Sequence, residues 1–267
     1  MLFGAGAGTL PACGGGDDDP RPAVLDHVAH AVAVPEFAAF AGAAEAARGA
    51  LADLCAETST STLTAARDAW HAERDAWNRT LPFAFGPRKV EQNALDFWPV
   101  RPTSIEGAVA AAPDDVDAAH VAGLGVAARG LPALEYLLWG DDPAAVLADL
   151  SDPAQGARRC AYARALADDI AARAAALAAA WTDEYAAALA DAGRGSAVYP
   201  SIQRGLDEVV NAVIDALLTM VKSRLDAPLG NLTGAAVDPT LLESRYAGRA
   251  ADDLRASLAG VWAVYHG

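Results

Sequence analysis

An all-α fold is what the sequence predicts, on three observations. Alanine and leucine dominate long stretches that carry Arg, Asp and Glu but few β-branched runs. Apolar residues recur at three- and four-residue spacing over windows longer than a single turn-rich protein would need. No alternating strand pattern and no glycine-rich phosphate loop interrupts them. With 267 residues, the chain can bury one large core or two modest ones.

The elements follow in order. Phe37, Phe40, Ala44, Leu51 and Leu54 predict a first helix over 24–57, with an irregularity at Pro35. Leu63, Ala66, Trp70, Trp77 and Leu81 predict a second over 61–80, whose neighbouring face carries Arg67, His71 and Arg74. Residues 81–102 read differently. Pro82, Phe83, Phe85, Gly86, Pro87, Trp98, Pro99 and Pro102 make an aromatic, proline-rich loop of the kind that lines a site or plugs the end of a bundle. Tyr162, Leu166, Ile170, Leu177, Trp181, Tyr185 and Leu189 predict a long helix over 157–191, ended by Gly193 and Gly195. Ile202, Leu206, Val209, Val213, Leu217 and Val221 predict another from Pro200 to Leu225. Thr240-Leu241-Leu242-Glu243 matches a capping box and is expected to open the last helix, which continues through Tyr246, Leu254, Leu258, Val261 and Trp262. Antiparallel helices with short loops mean bundles. The chain stops at Tyr265-His266-Gly267 within an apolar pattern, so this end is expected to meet further sequence or another chain.

A net charge of −15 argues against nucleic acid, because no basic patch exists to displace counterions from phosphates. Leu10-Pro11-Ala12-Cys13 resembles a bacterial lipobox, which makes Cys13 the lipidation candidate, although no Lys or Arg precedes the short apolar stretch. Gly14-Gly15-Gly16-Asp17-Asp18-Asp19-Pro20 then reads as a tether. With Cys13 lipidated, Cys55 and Cys160 remain as an even pair suited to one disulfide in an oxidising envelope; two buried free thiols are the alternative. After the N-terminus no continuous apolar stretch of about 20 residues is present to span a membrane.

The segment from Gly130 to Gly140 carries the most information. Pro132 suits the first turn of a helix, Glu135 is favoured near the positive end of its dipole, and Leu134, Leu137 and Leu138 give an apolar face. A helix start without chemistry explains all of this. The segment also resembles the signature of the imelysin family, G-x-H-x-x-E, with Gly130 and Glu135 in place and Pro132 where the family has histidine. The resemblance extends in order through Arg67–Trp70, Trp77, Phe85-Gly86-Pro87 and Phe97-Trp98-Pro99. It continues with Arg224, Pro228-Leu229-Gly230, Leu242–Tyr246 and Tyr265-His266-Gly267.

The resemblance implies two up-and-down helical bundles related by duplication, the second incomplete at its C-terminus. It divides the chain into a signal and tether over 1–23, a first bundle over 24–152 and a second over 153–267. It implies a periplasmic lipoprotein, held to the membrane only by its lipid, with a ligand- or metal-binding role linked to iron uptake. Iron or another divalent metal is the implied cation, and envelope or metal-uptake proteins are the implied partners. The site residues carried over are Gly130, Glu135, Arg67, Trp70 and Trp98, with Glu135 and His71 as candidate metal ligands. A prolyl ring offers no lone pair, so Pro132 removes one of the family's two ligands and argues against peptidase chemistry, which takes about three protein ligands. Two other classes stay open: an M75-type metallopeptidase that recruits His71, and an interaction module that docks through its last helix. His27 and His30 lie one turn apart beside the tether, where surface histidines are common.

Overall fold

The helices assemble around one aromatic centre. The computed structural model describes residues 19–266, and Cys13 with its lipobox lies outside them. The first helix, α1 (Arg21–Ala56), packs along α2 (Thr60–Arg79) on one side and along the long helix α8 (Gly156–Ala180) on the other. Between α2 and α8 come α3 (Gly86–Leu95), α4 (Pro102–Ala111), the single turn and a half of α5 (Ala118–Ala122), α6 (Leu131–Trp139) and α7 (Val146–Ser151). Helix α8 (Gly156–Ala180) runs on through a wide turn at Trp181–Tyr185 to Ala190. Then α9 (Ile202–Thr219, extended over Met220–Asp226) and α10 (Ala250–His266) complete the chain, and no strand occurs among the described residues.

Local chemistry accounts for the boundaries. Ser59 accepts from the N–H of Thr62 while the Thr62 hydroxyl accepts from the N–H of Ser59, a reciprocal cap on α2. Ser201 caps α9 through the N–H of Arg204. Pro35 cannot donate to the carbonyl one turn back, and the turns just before it, His27–Ala33, are wound wider than an α-helix. By length and composition α1 could cross a membrane, but Leu25, Phe37, Phe40, Leu51 and Leu54 on it are fully buried in the protein core.

The aromatic segment after α2 plugs that core. Phe83 and Phe85 lie against Trp181 with ring centroids 5.6 and 5.8 Å apart, and Phe37 stacks on the same indole at 5.0 Å. The segment therefore presents its phenylalanines inward, and its centre is the helix α3. Cys55 and Cys160 form a disulfide that joins the end of α1 to the start of α8. This pairing and the packing of α8 on α1 link helices that lie on either side of residue 152 in the chain.

The capping box expected at Thr240 does not form. Asp238, not Thr240, takes the capping role, accepting from the N–H and hydroxyl of Thr240 over a short turn at Pro239–Leu241. The chain stays irregular until α10 begins at Ala250. Glu243 is drawn away into the protein, where buried arginines hold it more strongly than a solvent-exposed helix end could.

Candidate functional site

Gly130 sits where backbone meets backbone. It adopts φ 80°, and a side chain there would come within 2.5 Å of the Leu95 carbonyl oxygen, so only glycine fits. Pro132 follows in the first turn of α6, all of whose residues are buried. Its ring lines a cavity of about 10 Å³, the room one water needs, together with Trp70, Arg74, Trp98, Glu135 and Arg245 among others. Trp70 closes one wall and donates its indole N–H to the Leu131 carbonyl at 3.1 Å. The indole N–H of Trp98 is buried without a protein partner.

Glu135 is buried, and its Oε1 accepts two hydrogen bonds of 2.9 Å from the backbone N–H groups of Tyr246 and Ala247. Burial pushes its carboxyl up to about 7, against the opposing pull of the Ala247 N–H, the Arg74 guanidinium and the Tyr246 N–H. The signature carboxylate therefore ties the irregular 242–249 segment to α6.

Beneath it lies a buried ionic cluster. Arg74 donates to Asp96 at 2.6 Å and to Asp253 at 3.2 Å, and lies 3.5 Å from Glu243. Arg224 of α9 stands 2.8 Å from Glu243 and donates to Ser257 and Asn78. Asp96 accepts from the Trp77 indole and Asp253 from the Ser244 hydroxyl. Burial works against the Arg74 charge, but Asp96, Asp253 and Glu243 outweigh it and hold the guanidinium firmly charged. Burial raises Glu243 to about 6 in spite of Arg224 and Arg74. Arg88, stacked 4.0 Å over the Trp77 ring and bonded to Thr80 and Gln92, is lowered to about 9 by burial.

Of the expected site residues, Trp70, Trp98 and Glu135 come together around the cavity, while Gly130 shapes the backbone beside it. Arg67 does not join them. It donates to the carbonyls of Leu138 and Pro143 and lies over the Trp139 ring, so it serves the C-terminal end of α6, where free carbonyls attract a cation. His71 stacks on Trp139 at 5.1 Å and lies outside the cavity lining; burial lowers its pKa, which keeps the ring neutral near pH 7.

The donors present do not fit a resident metal at the signature position. Pro132 supplies none, Glu135 already serves two N–H groups, and no group of three or more His, Cys, Asp or Glu side chains among the described residues is placed to hold a metal ion. Sequence reasoning overlooked Asp96 and Asp253. A lone acidic residue on an irregular or helical stretch carries no local sign of a partner far along the chain.

Comparison with known proteins places this arrangement. Iron-regulated protein A of Synechococcus elongatus is 28% identical over 243 residues, covering 88% of this chain and 62% of that protein, so the chain spans less than two thirds of its relative's length. An imelysin-like protein from Psychrobacter arcticum superposes with a TM-score of 0.73 at 23% identity, covering 90% of this chain and 72% of that one. The crystal structure described as an iron-regulated protein A precursor from Parabacteroides distasonis gives 0.78 at 20% identity, covering 94% and 75%. These two likenesses establish the fold. The sequence profile of the imelysin family, peptidase group M75, matches residues 33–267, and the chain belongs to that family.

Proposed function

We infer that this protein is a non-catalytic imelysin-like protein of the bacterial envelope with a binding role in iron uptake. The observation that carries the non-catalytic part is the state of Glu135: it is closed off by two backbone N–H groups beside a prolyl ring, in a space for one water. A hydrolytic metal needs open coordination and room for a scissile bond, and neither is compatible with that packing. The iron link rests on the name of the Synechococcus relative. The envelope assignment rests on the lipobox-like Leu10–Cys13, and the Cys55–Cys160 disulfide suits an oxidising compartment.

Calorimetric titration with ferric citrate and with Zn²⁺, alongside a peptide-cleavage assay, tests the reading. Binding of the iron complex without zinc-dependent cleavage is the expected result. Cleavage that depends on added metal and disappears in Glu135→Gln would overturn the non-catalytic part. Failure of ferric citrate to bind would overturn direct iron binding.

A further inference from the structure

A hollow of about 510 Å³ opens between α4, α6, α7 and the start of α8, within the size range of small-molecule sites. Its rim carries Glu106, Asp141, Asp142, Asp149 and Asp152, against a single guanidinium, Arg159. Arg159 is already engaged, since its Nη1 donates to both oxygens of Glu106, at 2.9 and 3.0 Å. The four aspartates form no ion pair among the described residues. Backbone N–H groups orient two of them through one oxygen each, Ala144 at Asp142, and Ala154 and Gln155 at Asp152. The hollow lies beside Gly140, where Arg67 of α2 reaches the Leu138 carbonyl. Gly260 of α10 packs on Arg79, about 18 Å further along α2, so the hollow and the last helix lie toward opposite ends of α2.

Tyr136 of α6 points independently to a ligand. It lines the hollow yet is only 8% exposed, held between the Tyr246 ring at 5.3 Å and the Arg159 guanidinium at 5.9 Å. Burial and the Glu106 carboxylate push its hydroxyl up to about 12, so it stays neutral with its proton toward Glu106. No donor among the described residues reaches the hydroxyl oxygen, and its lone pairs are left for an N–H that enters the hollow.

We propose that the hollow binds a linear polyamine. Its ammonium groups pair with Asp141, Asp142, Asp149 and Asp152, and one of them donates to the Tyr136 hydroxyl oxygen. The methylenes between them lie along Val109, Ala145 and Ala148, which share the lining. The spread of the carboxylates selects this class of cation. A calcium ion gathers about six to eight oxygens at about 2.3–2.6 Å, whereas no three His, Cys, Asp or Glu side chains among the described residues are placed to hold a metal ion. Negative charge distributed along a partly apolar hollow suits positive charge distributed along a carbon chain. In a chain of net charge −15, a cleft lined by one sign also focuses the field and concentrates polycations there.

Calorimetric titration of spermidine into the full chain carrying Cys13→Ser, which keeps lipid out of the measurement, tests this. The expected result is one saturable site with a Kd on the order of 10 μM that weakens as salt is raised. Asp141→Asn combined with Asp149→Asn, both at exposed positions, should weaken binding at least about tenfold with unchanged far-ultraviolet circular dichroism. Tyr136→Phe should weaken it about threefold or more and keep the salt dependence. Asp114→Asn with Asp115→Asn, on an exposed turn outside the hollow, should leave it unchanged. Absence of binding at about 1 mM spermidine overturns the proposal. So does affinity that survives the Asp141 and Asp149 substitutions, or displacement of spermidine by an equal concentration of Ca²⁺. Tighter binding of hexalysine, lost in the same double variant, would overturn the choice of occupant in favour of a basic protein segment.

Discussion

The guanidinium of Arg74 and the carboxylate of Asp253 lie 3.2 Å apart inside the protein, although 179 residues separate them in the chain. Around that pair, α2, the turn after α3, α9 and α10 are joined through charges that water does not reach. A buried pair adds little net stability when intact but is costly to break, because the surviving charge has nowhere to go.

Arg74→Met should therefore cost about 3–5 kcal/mol, since it strands Asp96 and Asp253 together. Arg67→Ala, which removes hydrogen bonds only to carbonyls near the surface, should cost about 1–2 kcal/mol. Urea denaturation of the two variants beside wild type checks both the size and the order.

The pH dependence follows from Glu135. Its carboxyl is raised from the usual 4.5 to about 7 in the folded protein, so the native state binds a proton more tightly than the unfolded chain. Stability from this group is present below about pH 4.5 and falls as pH rises toward 7, by up to about 3 kcal/mol. Glu73, fully buried without a counter-charge, is shifted the same way by burial and adds to the slope. Glu135→Gln can still accept from both N–H groups, and it should flatten the decline between pH 5 and 8. An unchanged slope in melting experiments across that range would show that Glu135 does not titrate there.

Two glycines are fixed by contact and one is not. A side chain at Gly260 of α10 would meet the Arg79 carbonyl oxygen at 2.1 Å, so Gly260→Ala should destabilise by about 1–3 kcal/mol or more. Gly130→Ala should be comparably harmful, because it adds a positive φ to its clash. Gly107, in α4 with nothing within 4 Å, should be stabilised by alanine by about 0.5–1 kcal/mol. Thermal melts of the three variants separate the cases.

The long helices were legible because their burial repeats every three to four residues: α1, α2, α8 and α9 lie within a few residues of the ranges that Phe37, Trp70, Leu166 and Leu206 suggest. The signature segment was legible too, since Gly130 and Pro132 are local devices whose meaning is contained in the backbone. Thr240–Glu243 misled because a capping motif is a local preference of about 1 kcal/mol, easily outweighed when Arg224 and Arg74 claim the glutamate. Arg67 misled for a related reason: it shares a helix with Trp70, and only the position of the α6 C-terminus decides where its side chain turns. The ionic cluster was invisible, as Asp96 and Asp253 gain their meaning only from folding.

Reducing the disulfide should lower stability by about 2–5 kcal/mol. Melts with and without dithiothreitol, and of a Cys55→Ser variant, should agree; a variant that matches the oxidised wild type would place the stabilisation elsewhere.

The same bond has a bearing on what a proteolytic cut does to the molecule. Cys55 and Cys160 are 105 positions apart, and the stretch between them includes the exposed acidic turn at Asp114 and Asp115 between α4 and α5. A cut at that turn leaves the two pieces covalently attached, so a nicked molecule runs as one species on a non-reducing gel and keeps the pair of helices on which its core is built.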